Sequence, residues 1–411
     1  MNILHINQSD ISGGAAIAGY RLHQGLLAQG INSQLLVKQA QTTSDRVTVI
    51  PEKNYIESLL YRRISKPLGL NYIHFLNTFN IPKYKIYQDA DILNFHNLHT
   101  GYFNYLAISR LTKHKPAVWT LHDMWSFTGH CSYSYDCDRW KTGCGKCPYP
   151  NVYPEIEKDS THVEWKLKNW VYRQSNLNIV APSRWLYEQA KQSILSRFPI
   201  HHIPYGIDTQ TYQPRDPEQC KAHLGIPKGK KVLMFAADSV TERRKGGDLL
   251  AQALQNLPSS LKAETVLLIF GSSGAAIAQT VGMPTIDLGY LTTDESKVAA
   301  YSAADLFVFP TRADNLPLTL QESIACGTPM VSCKIGGVPD LVRPGITGYL
   351  AEPENAQDLC KGIIELLEDQ NLREQMRQNC RAIALQEYPL ELQAKRYIEL
   401  YSQLTKNIDN T

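Results

Sequence analysis

The sequence predicts an α/β protein made of two doubly wound domains, in which helices cover both faces of a parallel sheet. Short apolar segments of strand type alternate with segments of helix type along nearly all of the 411 residues. A chain of this length also exceeds the usual size of one hydrophobic core. A connector with prolines at 204, 214, 217 and 227 separates two such series of similar size.

The first series begins with a strand in "NILHIN". A glycine loop and a helix follow it, and Gly30 ends that helix. The stretch 40–88 is less regular, and residues 130–150 are rich in cysteine. The other predicted elements are strands in 31–37, 90–97, 117–123, 177–183 and 200–208 and helices in 103–112, in 162–174 and from 184.

The second series begins at Lys231. It contains strands in 231–238, 264–273, 284–290, 305–311 and 329–335 and helices from 247, in 294–302, from 317 and in 356–369. A last helix, in 390–405, could cross back to the first domain. The domains are therefore 1–205 with a cysteine-rich insert in 130–150, 206–389, and a C-terminal helical segment in 390–411. We expect the carboxyl ends of both sets of strands to face a central cleft.

Composition favours a protein without membrane-spanning segments. Hydrophobic residues make up 43% and charged residues 20% of the chain, which is ordinary for a globular protein. No apolar run approaches the ~20 residues that span a bilayer. The start, "MNILHINQSD", lacks the basic region and cleavage site of a signal peptide. We therefore expect a cytoplasmic protein with reduced cysteines.

Charge is divided unevenly along the chain. Residues 1–205 carry 22 Lys and Arg against 14 Asp and Glu, a net +8, whereas residues 206–411 carry 20 against 25, a net −5. This asymmetry suggests an anionic partner for the first domain, although a solvated surface explains it equally well. Within that domain, residues 55–87 mix aromatic residues with five basic ones. They form either an interfacial segment facing anionic lipid or an ordinary packed segment.

The stretch "ADNLPLTLQESIACGTP", residues 313–329, has the pattern of a ligand site. A strand segment precedes it, Pro317 suits the start of a helix, and Gly327 suits its end. The N-terminus of such a helix attracts phosphate. Asp314 would lie beside that phosphate, and Glu322 would lie about 7.5 Å further along the helix axis at ~1.5 Å per residue. Because two carboxylates suit sugar hydroxyls better than phosphate, the predicted ligand is a sugar nucleotide.

Two other loops at predicted strand ends carry residues that suit a diphosphate. Gly13 and Gly14 follow the first strand, where they let the backbone approach an anion, although tight-turn packing explains them as well. They do not form the G-x-G-x-x-G fingerprint of dinucleotide binding. Arg243, Arg244 and Lys245 precede a helix of the second domain. They could clamp a diphosphate, and the alternative is a solvated basic turn.

Four of the nine cysteines lie close together in "HCSYSYDCDRWKTGCGKCP". Their spacing is C-x5-C-x6-C-x2-C, and glycines supply a turn within the last pair. In a reducing compartment this spacing predicts a structural zinc ion with tetrahedral thiolate ligands. The alternative is four free cysteines, but the segment is polar for a core strand. The candidate ligands are Cys131, Cys137, Cys144 and Cys147.

These motifs together resemble the retaining glycosyltransferases of family 4, which have the GT-B fold, over nearly the whole chain. The strongest similarity is the acid-x7-acid motif from Asp314 to Glu322, followed by "SIACGTPMV" and "IGGVPDLVRPGITGYL". The segments "APSRWL" and "IPYGID" are also typical. The cysteine segment is similar to an insert in some bacterial members of exopolysaccharide synthesis. The resemblance implies two Rossmann-like domains that face a cleft.

The resemblance also implies roles for individual residues. Glu322 would bind the donor ribose, Asp314 the transferred sugar, and Lys245 with a neighbouring arginine the diphosphate. The usual arginine five residues before the lysine is Val240 here, so an adjacent arginine would replace it. His122 would lie near the reacting sugar. The implied catalytic residues are His122, Lys245 and Asp314, and the implied donor-binding residues are Gly13, Gly14, Arg243, Arg244, Lys245, Asp314, Asn315, Leu316 and Glu322.

The implied reaction transfers a glycosyl group from a nucleotide sugar to a hydroxyl of a glycan or lipid-linked acceptor, with retention of configuration, in polysaccharide biosynthesis. Arginine and lysine can neutralise the leaving diphosphate, so we expect no catalytic metal. We expect contact with an anionic membrane at its inner face and no nucleic-acid partner. A nucleotide-sugar epimerase, a phosphorylase of the same fold and an inactive sugar-nucleotide-binding protein remain open. The sequence does not identify the base or the sugar.

Overall fold

The chain folds into two units, each built around one parallel β-sheet. A computed structural model describes residues 1–51 and 55–409. The first unit contains Met1–Gly206 and the C-terminal segment from Glu391, and the second contains Ile207–Leu390. None of the helices in the described ranges combines the length and apolar character that a bilayer-spanning helix needs.

Seven parallel strands form the sheet of the first unit. They are β1 (Asn2–Ser9), β2 (Asn32–Gln39), β3 (Val47–Val49), β4 (Ile92–Phe95), β5 (Ala117–Thr120), β6 (Leu177–Ala181) and β7 (Ile200–His202). Their order across the sheet is β3–β2–β1–β4–β5–β6–β7. The chain therefore changes direction across the sheet between β1 and β4, which is the switch point of a doubly wound fold.

Six parallel strands form the sheet of the second unit. They are β8 (Lys231–Ser239), β9 (Thr265–Ser272), β10 (Thr285–Asp287), β11 (Leu306–Phe309), β12 (Met330–Cys333) and β13 (Gly348–Ala351). The order β10–β9–β8–β11–β12–β13 places the switch point between β8 and β11. The prediction of two doubly wound parallel sheets is confirmed.

Helices connect the strands in both units. The α-helices are α1 (Gly14–Ala28), α2 (Tyr55–Leu60), α3 (Lys66–Leu68), α4 (Lys85–Gln88), α5 (Ile108–Leu111), α6 (Thr161–Tyr172), α7 (Arg184–Lys191), α8 (Pro217–His223), α9 (Gly247–Gln255), α10 (Ser259–Glu264), α11 (Gly274–Ala278), α12 (Asp294–Ala303), α13 (Leu318–Ala325), α14 (Ala356–Glu368), α15 (Gln370–Glu387) and α16 (Leu390–Asp409). A π-helical turn spans Tyr61–Ser65. Short 3₁₀ helices span Leu76–Lys83, Tyr105–Ala107, Arg139–Lys141, Arg243–Lys245 and Val338–Asp340.

Buried side chains cover both faces of the first sheet. Successive residues of a strand point to opposite faces, so Ile3 joins a cluster with Tyr397 and Tyr401 of α16, whereas Leu4 joins the larger cluster on the other face. The Asn94 amide of β4 donates a hydrogen bond to the Tyr401 hydroxyl over 2.8 Å. The C-terminal helix α16 therefore packs on the sheet of the first unit.

Several elements of the structure are missing from the sequence prediction. The longest is α15, whose buried residues are Arg373, Met376, Cys380 and Ala384. So few apolar positions over 18 residues give a weak amphipathic pattern, which explains why the helix escapes detection. Helix α8 lies in the proline-rich connector. It also escapes detection because it has few apolar positions. Helix α13 begins at Leu318, one residue after the predicted start.

Candidate functional site

The ends of β8 and β11 bring a cluster of charged side chains together at the switch point of the second unit. The Lys245 ammonium donates a hydrogen bond to Oδ2 of Asp314 over 2.6 Å. The Arg244 guanidinium donates to the same oxygen over 3.2 Å and to the Ala313 carbonyl over 3.0 Å. The structure therefore brings three of the predicted site residues into direct contact.

These three side chains form a mostly buried ionic cluster. The side chains of Lys245 and Asp314 are 15% and 12% exposed. Burial raises the pKa of Asp314, but the Lys245 and Arg244 cations outweigh it and hold that pKa below its ordinary value. Glu242 also accepts hydrogen bonds from the Arg244 guanidinium, over 2.8 and 3.3 Å. Two carboxylates therefore balance the two cations, and a bound anion would replace a carboxylate as their partner.

Backbone contacts hold the basic loop against the end of β11. The Arg244 carbonyl accepts hydrogen bonds from the Thr311 hydroxyl, over 3.0 Å, and from the Arg312 amide, over 2.8 Å. Gly246 has φ +76°, and a Cβ there would lie 1.8 Å from the Pro310 carbonyl oxygen. Only glycine fits this close approach. The sequence "RRKGG" thus fixes the position of Lys245 relative to Asp314.

Arg312 stabilises the same loop through its side chain. Its guanidinium donates to both carboxylate oxygens of Asp248, over 2.6 and 2.9 Å, and to those of Glu354, over 2.6 and 3.0 Å. It also donates to the Arg243 carbonyl over 2.7 Å. The Arg243 side chain itself is exposed. Arg312 is absent from the predicted site residues, although an arginine two residues before the first acid of the motif is a usable signal.

Glu322 lies on α13 and has a different partner from Asp314. The Tyr301 hydroxyl of α12 donates to Oε2 of Glu322 over 3.1 Å, and the Glu322 residue is 5% exposed. Asn315 and Leu316, in the loop before α13, are buried. These contacts bring Asp314 to the cations and Glu322 to a tyrosine. Sequence reasoning misses Tyr301, because no spacing rule links it to the acid motif.

The glycine loop of the first unit lies before α1. Gly13 is the N-cap residue and has φ +85° with ψ 159°, which a residue with a side chain rarely adopts. A Cβ at Gly13 or Gly14 would meet no atom of the described residues within 4 Å. Asp10 fixes the preceding turn by accepting hydrogen bonds from the amides of Ile11 and Thr42 over 2.8 Å each. The loop therefore leaves space in front of the helix N-terminus.

His122 belongs to a buried chain of three imidazoles. Its Nδ1 lies 2.6 Å from the Tyr205 hydroxyl, and its Nε2 lies 2.9 Å from Nδ1 of His96. Nε2 of His96 lies 2.9 Å from Nδ1 of His5. Burial lowers the pKa of His122 to about 4. Both ring nitrogens of His122 have protein partners, so a contact with a reacting sugar would require one of these bonds to break. Sequence reasoning misses His5 and His96, which are distant along the chain.

The cysteine segment brings thiols close to backbone and histidine donors. Among the residues described, no group of three or more His, Cys, Asp or Glu side chains is arranged to hold a metal ion. The Cys144 thiol accepts a hydrogen bond from the Gly129 amide over 3.2 Å, and the Cys147 thiol lies 3.1 Å from Nε2 of His130. Burial raises the pKa of Cys144 to about 11. The zinc ion at Cys131, Cys137, Cys144 and Cys147 stays a prediction from the spacing.

Sequence comparisons relate both parts of the chain to known enzymes. The family description "Glycosyltransferase Family 4" matches residues 12–211, and "Glycosyl transferases group 1" matches residues 216–383. The protein WcaC of Escherichia coli (strain K12), which is named as a colanic acid biosynthesis glycosyl transferase, is 28% identical over 383 residues. The match covers 87% of this chain and 89% of WcaC.

Two solved structures are similar in fold. Sucrose-phosphate synthase (tll1590) from Thermosynechococcus elongatus superposes with a TM-score of 0.71 at 18% identity, covering 99% of this chain and 100% of that one. Anabaena Alr3699/HepE in complex with UDP gives 0.70 at 16% identity, covering 98% and 100%. HepE is also known in complex with UDP-glucose. At such low identity these similarities bear on the fold alone.

Proposed function

Because this chain is a glycosyltransferase with the GT-B fold, we propose that it moves a sugar from a nucleoside-diphosphate donor to a hydroxyl of a glycan or lipid-linked acceptor, with retention of the anomeric configuration. The similarity to WcaC over most of both chains supports a role in polysaccharide biosynthesis. HepE, which has a similar fold, is known in complex with UDP and UDP-glucose, so uridine nucleotides are the first donors to test.

The contact of Arg244 and Lys245 with Asp314 is the observation that carries this proposal. The cluster lies at the switch point of a doubly wound sheet, where such folds bind ligands. Two cations there can bind a diphosphate and stabilise the charge that develops on it as the glycosidic bond breaks. Val240, at the position of the family's usual arginine, is buried in the core, and Arg244 supplies the second cation.

The proposed roles of the two acids follow from their different partners. When a diphosphate binds, it competes with Asp314 for the hydrogens of Lys245 and Arg244. Asp314 then has free lone pairs for the hydroxyls of the transferred sugar. Glu322 has a tyrosine on one carboxylate oxygen and, in this proposal, accepts hydrogen bonds from the ribose diol. The loop of Asn315 and Leu316 presents the N-terminus of α13 to phosphate.

The proposed location is the inner face of a membrane. An exposed surface of the first unit, formed by α2, the π-helical turn and α3, combines apolar and basic side chains. Tyr55, Ile56 and Leu68 are 82%, 59% and 50% exposed, and Arg62 and Arg63 are also exposed. Apolar groups that insert beside cations are typical of peripheral attachment to anionic lipid. This surface supports a lipid-linked acceptor.

A donor screen followed by a transfer assay tests the proposed function. A nucleotide sugar that binds the folded protein should raise its melting temperature by mass action. The donor with the largest shift is then incubated with and without octyl glycosides of several sugars. We expect release of the nucleoside diphosphate to increase with acceptor and a disaccharide glycoside to form with the donor's configuration. An inverted product would contradict the proposal, as would an epimerised nucleotide sugar without transfer.

A further inference from the structure

The loops that follow β4 and β5 hold a buried histidine–aspartate pair that donor binding does not use. Nε2 of His99 lies 2.9 Å from Oδ2 of Asp123, and Oδ1 of Asp123 accepts a hydrogen bond from the Trp125 amide over 2.8 Å. His99 is 2% exposed. Asp123 directly follows His122 in the chain but faces a different set of partners. Both residues lie at the carboxyl ends of parallel strands, where ligands of such sheets bind.

The hydrogen bond to Asp123 fixes the role of one ring nitrogen of His99. Burial raises the pKa of Asp123, but His99 and the Trp125 amide hold it below its ordinary value. A carboxylate oxygen can only accept a hydrogen bond, so Nε2 carries hydrogen, and in the neutral form of the ring Nδ1 carries the lone pair. Nδ1 is buried and has no hydrogen-bond partner in the part of the chain that the structure describes. An unsatisfied buried acceptor is rare and calls for an explanation.

Aromatic rings pack against the His99 ring. The ring centroids of Trp125 and Tyr153 lie 5.4 and 5.7 Å from that of His99, and the Tyr72 ring packs edge-on against Trp125 at 5.6 Å. Tyr153 is 54% exposed, so its ring covers His99 from the solvent side. Aromatic walls with one or two fixed polar atoms are typical of small-molecule sites. Here the fixed atom is an acceptor, with an adjacent carboxylate.

We infer that His99 and the surrounding rings form a subsite for the sugar acceptor, in which Nδ1 of His99 accepts a hydrogen bond from an acceptor hydroxyl. The Nδ1 lone pair and the nearby Asp123 carboxylate repel anions and favour a neutral hydrogen-bond donor such as a hydroxyl. The faces of Trp125 and Tyr153 supply apolar area for the C–H side of a sugar ring. In this inference the Tyr153 side chain moves so that the sugar ring can reach His99. Asp123 is the positioning residue, and the inference rests on the proposed function.

Two substitutions separate the acceptor role from a structural one. In His99→Gln the side-chain NH2 group takes the position of Nε2 and still donates to Asp123, but no atom takes the position of Nδ1. In Asp123→Asn the carbonyl oxygen still accepts the hydrogen bond from the Trp125 amide, so the NH2 group faces His99. Because this group donates to Nε2, the ring hydrogen must lie on Nδ1. Each change removes the acceptor atom with little loss of volume. His114→Gln, at an exposed histidine, is the matched control.

The measurement is the KM for an octyl glycoside acceptor at saturating donor, with UDP affinity by calorimetry as a check on folding. We expect KM to rise about 10-fold in His99→Gln and Asp123→Asn, the effect of one lost hydrogen bond, and to stay at the wild-type value in His114→Gln. Unchanged KM in both site variants, with UDP affinity intact, would overturn the inference.

A second measurement keeps the inference testable if the proposed function fails. Absence of transfer by the wild-type protein would contradict the proposed function alone. The ¹⁵N resonances of labelled histidine then report the subsite directly. We expect an unprotonated Nδ1 in His99 whose resonance moves when octyl glucoside is added, and a protonated Nδ1 in Asp123→Asn. A protonated Nδ1 in the wild type, or no response to the glycoside, would overturn the inference.

Discussion

The Lys245 ammonium nitrogen lies 2.6 Å from Oδ2 of Asp314, in a cluster where both side chains are largely buried. Arg244 reaches the same oxygen. The carboxylate therefore holds both cations in place at the switch point of the second sheet. A bound diphosphate would take the place of Asp314 as the hydrogen-bond acceptor of Lys245 and Arg244. The two cations are therefore held in position before the ligand binds. This exchange underlies the first and last predictions below.

The first prediction distinguishes the two arginines of the basic loop. Arg244 contacts Asp314, whereas the Arg243 side chain is exposed. We expect Arg244→Ala and Lys245→Ala each to reduce kcat/KM by roughly 10²-fold or more, because each removes a fixed charge from the leaving diphosphate. Arg243→Ala serves as the matched control and should change it by less than about 3-fold. Similar losses for both arginines, measured by UDP release, would contradict the assignment.

The second prediction concerns stability at low pH. Burial lowers the pKa of His23 and of His122 to about 4 in the folded protein, against about 6.5 in the unfolded chain. Between these values the unfolded chain binds more protons, so stability is lost as pH falls from about 6.5 towards 4. The loss is up to about 1.4 kcal/mol per pH unit for each histidine.

Melting temperatures between pH 7.5 and 4.5 test the second prediction. His23→Asn should flatten the decline, because it removes one group that must stay neutral in the fold. His114→Asn, at an exposed position, should leave the profile as it is. Parallel profiles for His23→Asn and the wild type would show that this histidine is not held neutral by burial.

The third prediction concerns the exposed apolar and basic surface of the first unit. Vesicles rich in phosphatidylglycerol should float the protein at low salt and less of it at high salt, since screening weakens attraction to anionic lipid. Ile56→Ser combined with Leu68→Ser should reduce flotation at both. Leu385→Ser in the second unit, where the leucine is 47% exposed, is the control. Flotation that is absent at low salt would exclude this surface as a membrane contact.

The fourth prediction concerns zinc in the cysteine segment. The spacing of the four cysteines predicts one bound ion, although the described residues form no group arranged to hold a metal. We expect the native mass of the purified protein to exceed that of the chain alone by one zinc ion, and Cys144→Ser to lose that ion. A native mass equal to that of the chain alone would contradict the prediction.

Local sequence patterns were sufficient to predict the fold and part of the candidate site. Short apolar strand segments that alternate with helix segments predict parallel sheets, and strand–loop–helix order predicts Lys245 and Asp314 at strand ends. Which arginine faces Asp314 depends on the 3₁₀ turn at Arg243–Lys245, and no residue pattern specifies that turn.

Contacts between residues distant along the chain could not be predicted. His5 and His96 are 91 residues apart and meet only because β1 and β4 are neighbours in the sheet. His99 and Asp123 meet because β4 pairs with β5. Single residues such as these carry no periodicity. Their roles therefore depend on strand order, which the sequence leaves open.

The central claim is that Glu322 binds the nucleoside and Asp314 the transferred sugar. Titration with UDP alone tests it most directly, with Glu322→Ala and Asp314→Ala compared by calorimetry. We expect Glu322→Ala to weaken UDP binding. We expect Asp314→Ala to bind UDP as well as the wild type or better, because Lys245 and Arg244 lose a competing carboxylate, while transfer falls by roughly 10²-fold or more. Equal loss of UDP affinity in both variants would contradict the assignment of roles.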